Sequence, residues 1–285
     1  MTDLSPDVSA AMTAAGLVPG QSPSPVRLPD VATLFGRRAV RLRHLASGHS
    51  LEDWLKFVAD LSAVQQDVVT KPANTAQPED QWPRDLQTIL SALGGHLPKD
   101  SQAIANALRF ADQAELTARL ERLEAGKPQG YDLAAAPFMA AARQVAWARH
   151  AASLDSAKVS ATAVAHTCPV CGHPPVAGMI HIGADQSGLR YLHCGCCQTA
   201  WHHVRATCVA CGDGKAVSHR LIEGRDPGIA AETCDSCQSY LKLFLLEKNP
   251  NLDPIADDLA SLTLDILVGE EGYQRIGGNP FLVMG

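Results

Sequence analysis

The sequence predicts an α plus small metal-stabilised β protein: an N-terminal helical bundle, two tandem rubredoxin-like or zinc-ribbon modules, and a C-terminal helix. Three observations predict it. All nine cysteines fall between Cys168 and Cys237. Eight of them form four CxxC pairs, and the last two pairs repeat the first two forty positions later, Cys168 against Cys208 and Cys194 against Cys234. The cysteine-free stretch before them carries apolar side chains at helical spacing.

Length and composition bound the reading first. A chain of 285 residues has room for roughly two domains of about 100–200 residues each. Hydrophobic residues at 46% and charged ones at 19% exclude wholesale disorder, collagen and coiled coil. The net charge of −6 argues against a general binder of nucleic acid or of anionic membranes, which needs a basic field. No run approaches ~18–20 uninterrupted apolar residues, and the first residues carry Asp3 and Asp7 where an export signal carries Lys or Arg. The expectation is a cytoplasmic protein with no membrane insertion. An odd cysteine total, CxxC spacing and a reducing compartment point to thiolates holding metal rather than to disulfides.

The expected divisions are a flexible Pro-rich leader over 1–29, with Pro19, Pro23, Pro25 and Pro29, and a helical domain over 30–160. Two metal modules follow over 161–203 and 204–245, then a C-terminal helix and tail over 246–285. Val31, Leu34, Phe35, Leu42 and Leu45 share one face of a first helix closed by Gly48. The cluster Arg37, Arg38, Arg41 and Arg43 reads as a solvated helix face, with a partner surface as the second reading. Ser50 and Asp53 form a capping-box pattern ahead of Leu51, Leu55, Val58 and Leu61. Residues 71–83, polar and proline-bearing, read as a connection. Ile104, Leu108, Leu116, Leu120 and Leu123 predict one long helix through Glu124, ended by Gly126 and Pro128. Ala-rich residues 133–155, with Phe138, Val145 and Trp147, give another helix.

The repeat decides how the thiolates group. Beyond the cysteines, Gly172 matches Gly212, Ile182 matches Ile222, Gly188 matches Gly228 and Gln198 matches Gln238. A duplicated unit of about forty residues is a supersecondary module with its own ligand set. Cys168, Cys171, Cys194 and Cys197 are therefore expected to bind one metal, and Cys208, Cys211, Cys234 and Cys237 another; a cross-braced arrangement would not survive as a free-standing repeat. Such S4 sites take zinc or iron, and the spacing does not choose between them. So small a module needs metal to fold, which makes a structural role the first reading and a redox or recognition role the second.

Cys196 aligns with Ser236, so the repeat marks it as a thiol outside the ligand set. Eight cysteines complete two sites, which leaves His166, His173, His181, His193, His202, His203 and His219 as spare or supporting side chains. His181–Gly183 and Leu189–Leu192 predict two short strands around an Asp185–Gly188 turn. From His166 to Tyr240 the charges are Arg190, Arg205, Lys215, Arg220 and Arg225 against Asp185, Asp213, Glu223, Asp226, Glu232 and Asp235. Each S4–zinc centre adds −2, so phosphate is repelled and a nucleic-acid-binding ribbon is disfavoured.

The order Cys168-Pro169-Val170-Cys171-Gly172, Cys194 to Cys197 with Trp201 and Arg205, Cys208-Val209-Ala210-Cys211-Gly212, then Cys234-Asp235-Ser236-Cys237 with Tyr240 and Lys242, resembles the formate dehydrogenase accessory protein FdhE family. The run Leu34-Phe35-Gly36-Arg37-Arg38-Ala39, the segment Asp53-Trp54-Leu55-Lys56-Phe57 and the tail with Glu271-Gly272-Tyr273-Gln274-Arg275 and Asn279-Pro280-Phe281-Leu282 fit it too. The resemblance implies a cytoplasmic assembly factor, without turnover of its own, that binds the catalytic subunit of a respiratory molybdenum or tungsten formate dehydrogenase before export. Cys194-Gly195-Cys196-Cys197, with its extra thiol, departs from the family pattern. An iron electron carrier or thiol-redox protein is the alternative. In the tail, Asp253 and Pro254 start a predicted helix striped by Ile255, Leu259, Leu262 and Ile266 and stopped by Gly269. Phe281 is read as part of a frayed end or as an apolar anchor.

Overall fold

The computed structural model describes residues 23–94, 97, 99–160, 166–182, 188–205 and 207–282. Residues 1–22 of the expected leader lie outside them. The chain divides into two compact units: a ribbon unit of the described residues within Met1–Arg27, Ser156–Cys194 and Thr199–Gly278, and a helical unit within Leu28–Asp155, Gly195–Gln198 and Asn279–Gly285.

The helical unit contains α1 (Leu34–Ala46), α2 (Glu52–Val69), α3 (Pro78–Leu93), α4 (Lys99–Phe110), α5 (Gln113–Glu124) and α6 (Asp132–Ala152). Its core is drawn from Phe35 and Leu42, Leu55 and Val58, Leu86 and Ile89, and Phe138 and Val145. Four expectations change here. The Ser50–Asp53 capping box does not form; α2 has no side-chain cap, and the neighbouring donors are taken by His49, whose Nδ1 accepts from Leu51 N at 3.0 Å and whose carbonyl accepts from Glu52 N at 3.0 Å. The 71–83 connection ends at Pro78, which opens α3. Pro83 lies inside that helix and costs ~3 kcal/mol in a helix interior. Trp82, Leu86, Ile89, Leu90 and Leu93 are all buried, and at about 1.5–3 kcal/mol per side chain they outweigh it.

The long helix through Glu124 is two helices, because the Asp112 carboxylate accepts from Glu115 N at 2.8 Å and starts α5 anew. The arginine cluster is not uniformly solvated. Arg37 and Arg43 are exposed, but Arg38 is completely buried, lying over the Phe35 ring and donating through Nη2 to Gln198 Oε1 at 2.6 Å.

Asp132, the first residue of α6, is buried and accepts from Arg119 Nη1 at 2.9 Å, Arg122 Nε at 2.6 Å and Gln129 N at 2.9 Å. The Arg122 hydrogen bond, seconded by the Gln129 N–H and the charge of Arg119, holds its carboxyl down at about 2. A depressed carboxylate stabilises above its unfolded value and loses that contribution as pH falls through its folded value. Between about pH 4 and pH 2 the wild-type helical unit therefore loses stability. Asp132→Asn lacks this acid step and is already weaker at pH 7, as acid-denaturation curves followed by helical circular dichroism test.

Among the described residues the ribbon unit holds one sheet of eight strands: β1 (Val26–Arg27), β2 (Pro175–Ile180), β3 (Arg190–Cys194), β4 (Ala200–His202), β5 (Val217–Arg220), β6 (Ile229–Cys234), β7 (Ser239–Leu245) and β8 (Gln274–Arg275). The order is β1-β4-β3-β2-β7-β6-β5, with β8 beside β7. The repeat is visible in it, since β2-β3-β4 and β5-β6-β7 are equivalent antiparallel ribbons. They join where β2 runs parallel to β7, with Gly178 opposite Leu243 and Ile180 opposite Leu245. Arg190 Nη2 also meets Glu232 Oε1 at 2.7 Å, both groups buried. The first strand of the module begins upstream of the expected His181–Gly183, because the apolar Pro175–Ile180 run is buried throughout; Gly183 of that expected strand and residues 185–187 of the expected turn lie outside the described residues. Val26 and Arg27, inside the expected leader, pair with Trp201 and Ala200.

The C-terminal helix is divided. Asp253 Oδ1 accepts from Ile255 N at 2.9 Å and Ala256 N at 2.8 Å, but the helix begins at Ala256 rather than at the expected Pro254. Then α7 (Ala256–Ala260) breaks at Ser261, whose hydroxyl donates to Asp257 O, before α8 (Leu262–Glu270). The break changes the phase of the stripe. Ile255 and Leu259 are buried, Ile266 is 54% exposed, and Leu264 and Val268 take the inward positions. Gly269 falls inside α8 rather than stopping it. Phe281 is completely buried, with its N–H on Asn279 Oδ1 at 3.0 Å.

Two neighbouring glycines give a test of packing. A Cβ on Gly277 would overlap the carbonyl oxygen of Pro175, which is backbone and cannot swing aside, whereas one on Gly278 meets nothing within 4 Å. Gly277→Ala should cost about 1–3 kcal/mol, the range for overpacking, and Gly278→Ala should leave the thermal midpoint within error.

Candidate metal centres

Each centre is built from two unlike turns. In the first, of sequence CxxCG, Gly172 N donates to Cys168 O and Cys168 N to His173 O, both at 2.9 Å. The second module repeats this with Gly212 N to Cys208 O at 2.9 Å and Cys208 N to Asp213 O at 2.8 Å. Gly172 and Gly212 have φ of +75° and +76°, which is why glycine follows the second cysteine. In the other turn a glutamine holds the left-handed position, Gln198 at φ 64° and Gln238 at φ 53°. Each folds its amide back onto the turn, Gln198 Nε2 donating to Gly195 O at 2.9 Å and Gln238 Nε2 to Asp235 O at 2.9 Å. The Gly and Gln registers of the repeat are therefore backbone requirements of the turns.

These turns bring the predicted residues together in the sequential grouping. The sulfurs of Cys168, Cys171, Cys194 and Cys197 lie within 4.8 Å of one another, and so do those of Cys208, Cys211, Cys234 and Cys237. Cys171 and Cys194 Sγ are 3.3 Å apart, Cys208 and Cys237 3.6 Å, and Cys211 and Cys234 3.7 Å. Disulfide sulfurs would sit near 2.05 Å. A tetrahedron with metal–sulfur bonds of about 2.3 Å has edges of roughly 3.8 Å, so the donor set fits one soft cation in each group.

The electrostatics agree. Burial works against the Cys208 thiolate, yet N–H groups of Cys211 and Ala210 and the hydroxyl and thiol of Ser239 and Cys237 bring it down to about 7. At Cys211 the Asp213 N–H favours the thiolate, but burial and the thiols of Cys237, Cys208 and Cys234 outweigh it and push it up to about 12. Four adjacent sulfurs cannot all ionise without a cation among them.

Among the described residues no histidine belongs to either four-cysteine group. His173 and Cys196 lie within 4.8 Å of Cys171 as a separate group, a proximity the repeat did not foretell because its second copy has Ser236, bonded to Asp213 Oδ2 at 2.6 Å. His181 sits between Arg27 Nη1 at 3.1 Å and His193 Nε2 at 3.4 Å, and burial, with the Arg27 charge, drives its imidazole down to about 4. His219 reaches Glu232 Oε2 at 3.6 Å.

A helical unit combined with duplicated ribbons, each gathering four thiols between two turns, defines a class of double zinc-ribbon-like metal-binding proteins. Among the described residues no helix is long and apolar enough to cross a membrane. The family models "FdhE, N-terminal", "FdhE, central domain" and "FdhE, C-terminal domain" match residues 23–81 with 72–163, 167–205 and 206–282. The chain belongs to the FdhE family. It is 36% identical to "Protein FdhE homolog" of Pseudomonas aeruginosa over 94% of this chain and 98% of that one, and 34% identical to "Protein FdhE homolog" of Cronobacter sakazakii over 92% of each. The crystal structure of the FdhE protein from Pseudomonas aeruginosa superposes with a TM-score of 0.82 at 34% identity, covering 91% of this chain and 99% of that one.

Proposed function

We propose that the protein is a non-catalytic maturation factor that binds the catalytic subunit of a respiratory molybdenum or tungsten formate dehydrogenase in the cytoplasm before export. Its eight CxxC cysteines hold two ions, iron or zinc, one in each module. The observation that carries this reading is the pair of four-thiol groups in a chain of the FdhE family. The domain plan follows the same reading: a leader over 1–29, a helical domain over 30–160, modules over 161–203 and 204–245, and a C-terminal element over 246–285.

Co-purification with the catalytic subunit, in a host that makes the enzyme, is the expected result; absence of association there would sink the proposal. An iron electron carrier is the second reading, favoured by the S4 donor set alone. It requires a visible absorption that bleaches reversibly on reduction, and a colourless protein with about two zinc ions per chain removes it.

A further inference from the structure

The two centres share a plan but not an environment. The turn residues 195–198 are all buried, while their counterparts 235–238 are all exposed. Within the helical unit the first turn is held from outside itself: Gln144 Nε2 donates to Gly195 O at 2.8 Å, Gln65 Nε2 donates to Gln144 Oε1 at 2.9 Å, and the buried Arg38 donates to Gln198 Oε1. The second turn also has outside partners, Gln274 N donating to Gln238 O at 2.8 Å and the Tyr273 hydroxyl donating to Asp235 Oδ1, but these leave residues 235–238 exposed. The thiols follow suit. Cys168, Cys194 and Cys197 are buried and Cys171 is partly so, whereas Cys211 and Cys237, one from each turn of the second centre, are exposed.

We infer that the copies have diverged into a closed, structural first centre and an open second centre that exchanges a cysteine ligand for an exogenous thiol. The inference rests on the reading that each four-thiol group holds a metal. Ligand exchange at a filled tetrahedral centre needs a path for the incoming donor, and the exposed Cys211–Cys237 edge supplies one. In the step an incoming thiol RSH forms a metal–sulfur bond, the bond to Cys237 or Cys211 breaks, and the proton of RSH passes to the departing cysteine. M(S-Cys)4 plus RSH gives M(S-Cys)3(SR) plus Cys-SH, with no change of oxidation state. Ser239 Oγ, 3.0 Å from Cys237 Sγ and 3.8 Å from Cys208 Sγ, is placed to hydrogen-bond a departing Cys237 sulfur as thiolate or as thiol. The ligand class is thus a soft sulfur donor, such as a cysteine presented by a client protein.

The test uses the full-length, metal-loaded protein with glutathione as the probe thiol and a chromogenic chelator to trap released metal. Metal content is measured first; fewer than about two ions per chain would overturn the metal reading itself, separately from this inference. With two ions present, release should be biphasic, one ion leaving at a rate that rises with glutathione concentration and the other at least about tenfold more slowly, the scale on which surrounding contacts tune metal affinity. Native alkylation read by mass spectrometry should mark Cys211 and Cys237 in the fast phase and spare Cys168, Cys194 and Cys197. The wild-type alkylation pattern is the deciding measurement, because it needs no ligand variant whose folding has to be matched. Release of both ions in one phase, or first labelling within Cys168–Cys197, would overturn the assignment.

Discussion

Cys197→Ser should lose about one metal ion per chain and leave the Cys208–Cys237 centre filled, whereas Cys196→Ser, one residue away, should keep both ions. Cys197 belongs to the first four-sulfur group, so replacing it leaves three thiolates and a hydroxyl that binds a soft cation poorly. Structural zinc contributes roughly 10–16 kcal/mol in modules of this size, so the loss should also unfold the first ribbon locally. Each set comes from its own copy of the repeat, which is why the second ion should stay. Cys196 lies near Cys171 and His173 but outside the four-sulfur group, and its counterpart is already a serine. Elemental analysis of both purified variants decides the matter. Loss of metal from Cys196→Ser alone would mean that the ligand register is displaced by one residue, and loss of both ions from Cys197→Ser would mean that the centres fill together.

The grouping of the eight sulfurs was legible in the sequence because it is local: two residues between cysteines set a turn, and a duplication states which turns belong together. The glycines and glutamines after the second cysteine of each turn were legible as a pattern, and their positive φ values supply its cause. Burial was less legible. Arg38 reads as one charge among four on a helix, and its acceptor Gln198 lies 160 positions along the chain. Helix α3 was hidden by two prolines, although Trp82, Leu86 and Leu90 behind them carry the stripe. Strand β1 has two residues and no pattern of its own; its order comes from β4 and from His202 N donating to Pro25 O at 3.0 Å. For Arg38 and β1 the deciding partners are long-range, and no local window contains them.

Lys242→Met should destabilise the ribbon unit by about 3–5 kcal/mol, the cost of leaving buried charges without their partner. Lys242 lies on β7 with no exposed surface, and its ammonium meets Asp265 Oδ2 at 2.5 Å, Asp258 Oδ1 at 3.3 Å, Asp258 O at 2.7 Å and Ser261 Oγ at 3.0 Å. Arg275 of β8 reaches the same carboxylates, Asp258 Oδ1 at 2.5 Å and Asp265 Oδ1 at 3.1 Å, and Tyr240 donates to Asp265 Oδ1 at 2.9 Å. Two cations thus face two anions among β7, β8 and the helices α7 and α8, so removing any single one of the four unbalances the cluster. Methionine fills the volume of the lysine stem but leaves two carboxylates against one guanidinium. Removing a carboxylate as well restores the count, so Lys242→Met with Asp265→Asn should recover part of the loss, a coupling that a double-mutant cycle reads directly. The metal content of both variants should remain at about two ions, because none of the eight cysteines is among the partners of Lys242, which braces α7 and α8 against the sheet. Denaturant midpoints measured with the metals bound are the test: a loss under about 1 kcal/mol for Lys242→Met would show that the cluster is dispensable for stability.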